Sequence, residues 1–329
     1  MKVAVAGAGA VGCFCGGLLA RAGHEVTLLA RPRVIAEIAE HGLHLTDYAG
    51  LDATLPAERL TLTEDPAALA GAELVLVTVK SPATPAIAAE IARHAPAHAV
   101  VISLQNGMGN PDVLRAALPG RDVRAGMVPF NVVPMGQGRF HRASSGEILI
   151  APGAGGLAAA LSSATLPLRE SAEIDAIRWG KLLLNLNNAV NALSGLPLRA
   201  QLMDRRWRRI MARQMTEALS VLKGADIRVR STTPVPAALV PWILALPTPL
   251  FSRVAASMLT IDPEARTSMA QDLAGGRPTE IDALQGEVLR LAESQGIDTP
   301  LMRRITTLIR AAEAAGKGTP DLPPEALRP

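Results

Sequence analysis

The chain has 329 residues, 49% of them apolar and 19% charged, with a formal net charge of +3. That composition fills about two domains of roughly 100–200 residues with sizeable cores and excludes a disordered chain. So small a basic excess, with only eight aromatic side chains, also excludes the stacking platforms of single-strand nucleic-acid binders, and no nucleic-acid partner is expected.

Up to about residue 150, short apolar runs alternate with helical stretches, which predicts a parallel sheet covered by helices. Strands are predicted at 2–6 (KVAVA), 25–30, 73–79, 99–104 and 122–128, with 147–151 closing the sheet. Helices fit at 10–22, 33–41, 83–95 and 111–118. The uncharged stretch from Val3 to Ala20 has the length of a signal or spanning segment, but five glycines (Gly7, Gly9, Gly12, Gly16, Gly17) break it. The expected location is the cytoplasm, with no membrane partner.

From about residue 170 the strands stop. Residues 174–194 read as one long helix, and 204–224, 280–295 and 299–316 as three more. The proline-rich, apolar segment 231–263 reads as a broken helical insertion and is a candidate homodimer interface. The tail from Thr319, with four prolines, is expected to be poorly ordered. Domains are therefore expected at 1–170 and 171–329. Cys13 and Cys15 cannot make a disulfide framework. The histidines show no ligand spacing, because Pro96 separates His94 from His98, and no metal is expected.

Gly7-Ala8-Gly9-Ala10-Val11-Gly12 follows the first predicted strand and opens a helix. Gly7 suits the tight turn, Gly9 lets a pyrophosphate approach the backbone, and Gly12 packs helix on strand, with the helix N-terminus facing the phosphate charge. This predicts the α/β class: an N-terminal Rossmann dinucleotide-binding domain followed by an all-helical C-terminal domain. After the second strand, where NAD enzymes usually carry an acid for the ribose hydroxyls, stands Arg31. Arginine suits a 2′-phosphate, so NADP(H) is the expected cofactor. The plain alternative is a solvated loop charge.

Only five of the 33 basic residues are lysines, and Lys80 and Lys181 both adjoin apolar runs. Arginine cannot replace a compact, titratable ammonium, which is a reason to keep lysine there; chance placement is the alternative. Four of the seven asparagines fall within 185–191. Lys181, Asn185 and Asn188, spaced four and three apart, would share one face of an unbroken helix. Such a stripe suits the wall of a cleft that binds a carbonyl and hydroxyls, or else a buried hydrogen-bond network between helices. Glu280 opens a helix with an apolar stripe of Ile281, Leu284, Val288 and Leu291.

Together these segments resemble the ketopantoate reductase (2-dehydropantoate 2-reductase) family over nearly the whole chain. The likeness rests on GAGAVG (7–12), Arg31, VTVK ending at Lys80, QNGMG with Asn106, RWGKLLLN around Lys181 and Asn185, and SMAQDLAGGRPTEID from Ser268 through Glu280. It implies Lys181 as the general acid, with Glu280 holding substrate and positioning that lysine. It implies Ser268, Asn185 and Asn188 on substrate oxygens, and Lys80 and Asn106 at the cofactor–substrate junction. It also implies a small 2-oxo acid as substrate and an active site in a cleft between the two domains.

Three departures lie on the substrate side. Ala189 stands where the family has its second substrate asparagine, so that role passes to Asn188 with a one-residue adjustment. Ala265 stands where well-known reductases have another asparagine, and the 231–263 insertion is longer than in the shorter members. The expected activity is NADPH-dependent reduction of 2-dehydropantoate to (R)-pantoate in pantothenate biosynthesis. The alternatives are a paralogous reductase of another 2-oxo acid or opine-like substrate, and a non-catalytic NADP-binding sensor.

Overall fold

The computed structural model describes residues 1–259 and 264–328, and the chain divides into two compact units, Met1–Asp175 and Ala176–Pro329. Residues 260–263 of the apolar insertion lie outside the described residues.

The first unit has twelve strands: β1 Lys2–Ala6, β2 Glu25–Leu29, β3 Leu43–Asp47, β4 Asp52–Leu55, β5 Leu60–Thr63, β6 Leu74–Val77, β7 Val100–Ser103, β8 Val123–Met127, β9 Val132–Gly136, β10 Arg139–Arg142, β11 Ile148–Ile150 and β12 Leu168–Glu170. Eight form one sheet in the order β12-β11-β8-β7-β6-β1-β2-β5. The strands from β5 across to β8 are parallel, and β11 joins β8 antiparallel. From β1 the chain winds one way to β2 and β5, then returns to lay β6, β7 and β8 on the other side. Adjacent β1 and β6 therefore flank the switch point, where such sheets open a ligand crevice at their carboxyl ends.

Alternation along β1 explains the layers. Val3 and Val5 enter one apolar cluster with Phe14 and Leu18 of helix α1 (Ala10–Arg21). Ala4 and Ala6 enter a second with Ile87 and Ile91 of α3 (Thr84–His94) and Leu114 of α4 (Asn110–Ala117). Two further helices complete this unit, α2 (Pro32–His41) and α5 (Leu157–Leu161).

The sheet departs from expectation at its edge, because β12 pairs beyond β11 and the 147–151 strand does not close it. A second sheet, β4-β3-β10-β9, was not expected at all. It is held to α1 by buried Arg142, which pairs with Asp47 and lies over the Phe14, Tyr48 and Phe130 rings at 5.6, 5.7 and 5.4 Å.

The second unit is helical: α6 Ile174–Asn185, α7 Asn187–Ser194, α8 Leu198–Met203, α9 Arg205–Gly224, α10 Val240–Ala245, α11 Thr248–Val254, α12 Ser268–Ala274, α13 Ile281–Gln295 and α14 Pro300–Ala315. The single helix expected over 174–194 is divided at Leu186, which keeps a helical backbone (φ −56°, ψ −28°) and its N–H bond to the Leu182 carbonyl at 3.0 Å, while its own carbonyl accepts from Gln285 Nε2 at 2.9 Å. The insertion is anchored by fully buried Arg208, which donates to the Leu202, Leu244 and Leu246 carbonyls and stacks 4.1 Å from the Phe251 ring centroid. The tail also departs from expectation. Leu322 N–H donates to the Leu193 carbonyl at 2.8 Å, a short 3₁₀ turn covers Pro324–Leu327, and Leu327 is fully buried. A backbone bond at Leu322 and the burial of Leu327 outweigh the disorder that four prolines suggest.

Candidate active site

In the first unit the glycine turn leaves β1 at Ala6. Gly7 has φ +87°, and a Cβ there would collide with Val79. A Cβ on Gly12 would meet Thr78 Oγ1 at 2.5 Å and Val5 Cγ1 at 2.9 Å. Both glycines are thus demanded by the fold itself. Gly9 is different: its φ is −86°, and a Cβ built on it meets nothing nearer than the Gly7 carbonyl at 4.0 Å. The protein leaves an open cradle there, at the N-cap of α1, with no side chain capping the helix. The amides that open a helix, here those of Ala10, Val11 and Gly12, lack intrahelical acceptors and suit an anion. These features fit the pyrophosphate of a dinucleotide.

Thr78 was not among the expected residues. It follows β6 at the switch point, and its hydroxyl donates to the Gly7 carbonyl at 2.9 Å, tying the turn to the neighbouring strand. Its only sequence signal is its place just before Lys80. Arg31 is the exposed N-cap of α2 at the end of β2, and no partner for its guanidinium occurs among the described residues. Cys13 and Cys15 are packing residues on α1, as expected, and burial pushes both thiols up to about 12.

Lys80 is the exposed N-cap of a 3₁₀ turn, Ser81–Ala83, which runs into α3. Asn106 is half-buried in the loop after β7. The Asn106 carbonyl accepts from Asn110 Nδ2 at 2.6 Å and from Ser81 Oγ at 3.4 Å, so the two loops are joined.

In the second unit Lys181 is half-buried on α6 among fully buried Leu182, Leu183 and Leu186. Burial lowers its ammonium to about 8, and the Glu280 carboxylate acts in the opposite direction. Gly180, also not anticipated, lets the chain at Arg230 pass against α6 beside this lysine. A Cβ at 180 would collide with the Arg230 carbonyl, and Arg230 N–H donates to the Ala176 carbonyl at 2.9 Å. A glycine within a helical pattern was the available signal.

Two of the four clustered asparagines take up the hydrogen-bond network. Asn191 is fully buried: Nδ2 donates to the Leu196 carbonyl and to Gln201 Oε1, and Oδ1 accepts from Thr267 N–H. Asn187 pairs with Gln201 as well. These two form a structural network between helices. Asn185 and Asn188 are half-buried, and their side-chain amides have no hydrogen-bond partner among the described residues. Asn185 follows Lys181 by four residues on α6, as the spacing predicts, whereas Asn188 lies on α7, beyond the one-residue division at Leu186.

Ala189 is fully buried, so the family's second asparagine position is a packing site in this chain. Ser268 is exposed in the first turn of α12, and the Thr267 hydroxyl before it donates to the Asn188 carbonyl at 3.2 Å. Glu280 is the half-buried N-cap of α13. The loop leading to it is braced by Glu313 Oε1, which accepts from Thr279 N–H at 2.7 Å. Among the described residues no group of three or more side chains could hold a metal, and no helix is long and apolar enough to cross a membrane.

Chemically, one unit offers an anion cradle at a sheet switch point. The other offers an ammonium able to give up a proton near neutrality, on the same stretch of chain as two unpartnered amides.

Comparison with known proteins bears on the family. Residues 3–155 match the family model described as ketopantoate reductase PanE/ApbA, and residues 173–313 match its C-terminal counterpart. A 2-dehydropantoate 2-reductase of Halobacterium salinarum is 30% identical, the match covering 96% of this chain and all of that protein. A PanE/ApbA family ketopantoate reductase from Ralstonia eutropha JMP134 superposes with a TM-score of 0.83 at 35% identity, over 96% of this chain and all of the other. The structure of D-mandelate dehydrogenase with NADH and anilino(oxo)acetate shares the fold, with a TM-score of 0.79 at 23% identity over 96% and 99% of the two chains. The chain belongs to the ketopantoate reductase family of NAD(P)-dependent oxidoreductases.

Proposed function

We propose that this chain reduces 2-dehydropantoate to (R)-pantoate with NADPH. The observation that carries the reading is Lys181: a half-buried ammonium brought down to about 8, opposed by Glu280, on the same stretch of chain as the unpartnered Asn185 and Asn188 amides. A dinucleotide sensor needs the glycine turn but no such proton donor.

Gly7, Gly9, Ala10, Val11 and Gly12 would hold the pyrophosphate, Arg31 the 2′-phosphate, and Lys80 and Asn106 the nicotinamide side. The bound cofactor would supply hydride to the keto carbon. Lys181 holds the proton that the resulting alkoxide oxygen needs, and must come within about 2.6–3.2 Å of it. Glu280 keeps enough positive charge on Lys181 for it to donate at neutral pH. Ser268, Asn185 and Asn188 offer a hydroxyl and two amides to the carboxylate and terminal hydroxyl of a short acid.

The test is NADPH oxidation against a panel: 2-dehydropantoate, its analogue without the terminal hydroxyl, phenylglyoxylate, and other 2-oxo acids and imines. A site that pairs a substrate hydroxyl rejects the analogue lacking it far better than an apolar pocket rejects a methylene. Strong preference for 2-dehydropantoate is expected. Equal kcat/KM for the first two, or a higher value for another acid, points to a paralogous reductase. No turnover with any of them, together with NADPH binding, favours the sensor.

A further inference from the structure

Behind Lys80 and Asn106 lies a polar cluster in which four side chains, Thr84, Ser103, Gln105 and Asn110, are buried. The Thr84 hydroxyl stands in the middle. It accepts from Gln105 Nε2 at 2.6 Å and donates to Asn110 Oδ1 at 2.8 Å. Gln105 Nε2 also reaches the Val79 carbonyl at 3.0 Å, one residue before Lys80, and its Oε1 accepts from Ser103 at 3.0 Å. Asn110 Nδ2 reaches the Asn106 carbonyl at 2.6 Å and Ser81 Oγ, one residue after Lys80, at 2.9 Å. One hydroxyl therefore fixes two amides, and each amide fixes the backbone beside a proposed site residue.

We propose that Thr84 is a positioning residue: its hydroxyl, through Gln105 and Asn110, sets the loops that carry Lys80 and Asn106. The inference rests on the functional reading above. Burial raises the stakes, because a buried amide that loses its partner bears the full desolvation cost and draws the chain toward another arrangement. Thr84 also lies beyond direct reach of a ligand, at 1% exposure in the first turn of α3. A displacement of about 1 Å in a reacting constellation costs on the order of a hundredfold in rate, so even a partial shift should be measurable.

The experiment compares Thr84→Val, which keeps the shape and deletes the hydroxyl, with Thr84→Ser, which keeps the hydroxyl. Asn110→Asp is the second arm, since it still accepts from Thr84 but presents an acceptor to the Asn106 carbonyl. NADPH affinity, kcat and KM are measured together, with the pH profile of kcat.

Thr84→Val and Asn110→Asp should each lower kcat/KM by about tenfold or more and weaken NADPH. Thr84→Ser should stay near wild type, and the basic limb set by Lys181 should not move. If Thr84→Val fails to fold, Asn110→Asp and Thr84→Ser decide the matter. Wild-type values for the hydroxyl-deleting variant, or equal damage from Val and Ser, overturn the proposal. If the wild-type protein does not turn over 2-dehydropantoate, the substrate reading fails by itself, and NADPH affinity in the same variants still judges Thr84.

Discussion

The Glu280 carboxylate opposes what burial does to the Lys181 ammonium, and the balance leaves that group at about 8 instead of the usual 10.5. A donor must hold its proton before it can give it. On the proposed mechanism kcat is therefore full below about pH 8 and falls as pH rises through that value. Glu280→Gln removes the charge that holds the value up, so the basic limb should move to lower pH. A limb that stays in place in this variant would mean that another group donates the proton.

Lys181→Ala should lower kcat by about 10²–10⁴-fold, the usual contribution of general acid catalysis. NADPH affinity should stay nearly unchanged, because the glycine turn belongs to the other unit. Retention of most of kcat would assign the proton to water or another side chain.

The same lysine should burden stability. Between about pH 8 and 10.5 the unfolded chain binds the proton more tightly than the folded one does. The penalty is therefore complete below about 8 and fades as pH approaches 10.5. Lys181→Met should raise Tm at neutral pH, with a gain that shrinks on going alkaline. A constant difference across that range would show that packing, not charge burial, separates the two proteins.

Arg31→Ala should cost NADPH on the order of 1.5–3 kcal/mol of binding, the range for hydrogen bonds to charged groups, and leave NADH nearly unaffected. Titration of both cofactors distinguishes this from a general effect. Equal losses would show that Arg31 does not read the 2′-phosphate.

Two glycines of the turn should behave differently. Gly7→Ala forces a side chain into a left-handed conformation and onto Val79, so it should destabilise the fold by about 1–2 kcal/mol or more. Gly9→Ala meets open space, so Tm should hold while dinucleotide affinity drops. Loss of Tm in both, read by thermal melts beside cofactor titrations, would place the need for Gly9 in the fold.

The parallel strands were legible because β1, β6 and β7 are short, continuous apolar runs, the mark of strands buried on both faces. The second sheet was not. Its strands are four or five residues long and mix polar with apolar side chains, and its anchor joins Arg142 to Asp47 across 95 residues of sequence. Lys181 and Glu280 were readable as motif residues. The supporting contacts were not, since Thr78 bonds to Gly7, Gly180 passes Arg230 and Thr84 bonds to Gln105 and Asn110, all distant in sequence. Spacing alone could not separate the network asparagines, Asn187 and Asn191, from the unpartnered Asn185 and Asn188. Which amides Gln201 takes up and which are left unpaired is decided by α8, the next helix along the chain.

The division at Leu186 has a consequence for how this scaffold tolerates change. In a helix, adding or losing one residue turns everything beyond it by about 100°. Here Lys181 lies before the joint and Asn188 after it, and Gln285 supplies a donor to the Leu186 carbonyl between them. A one-residue insertion or deletion at Leu186 should turn the Asn188 amide by about 100° while the upstream ammonium keeps its place. On the proposed function, the group that reads the substrate and the group that donates the proton can thus be varied separately within a single stretch of chain.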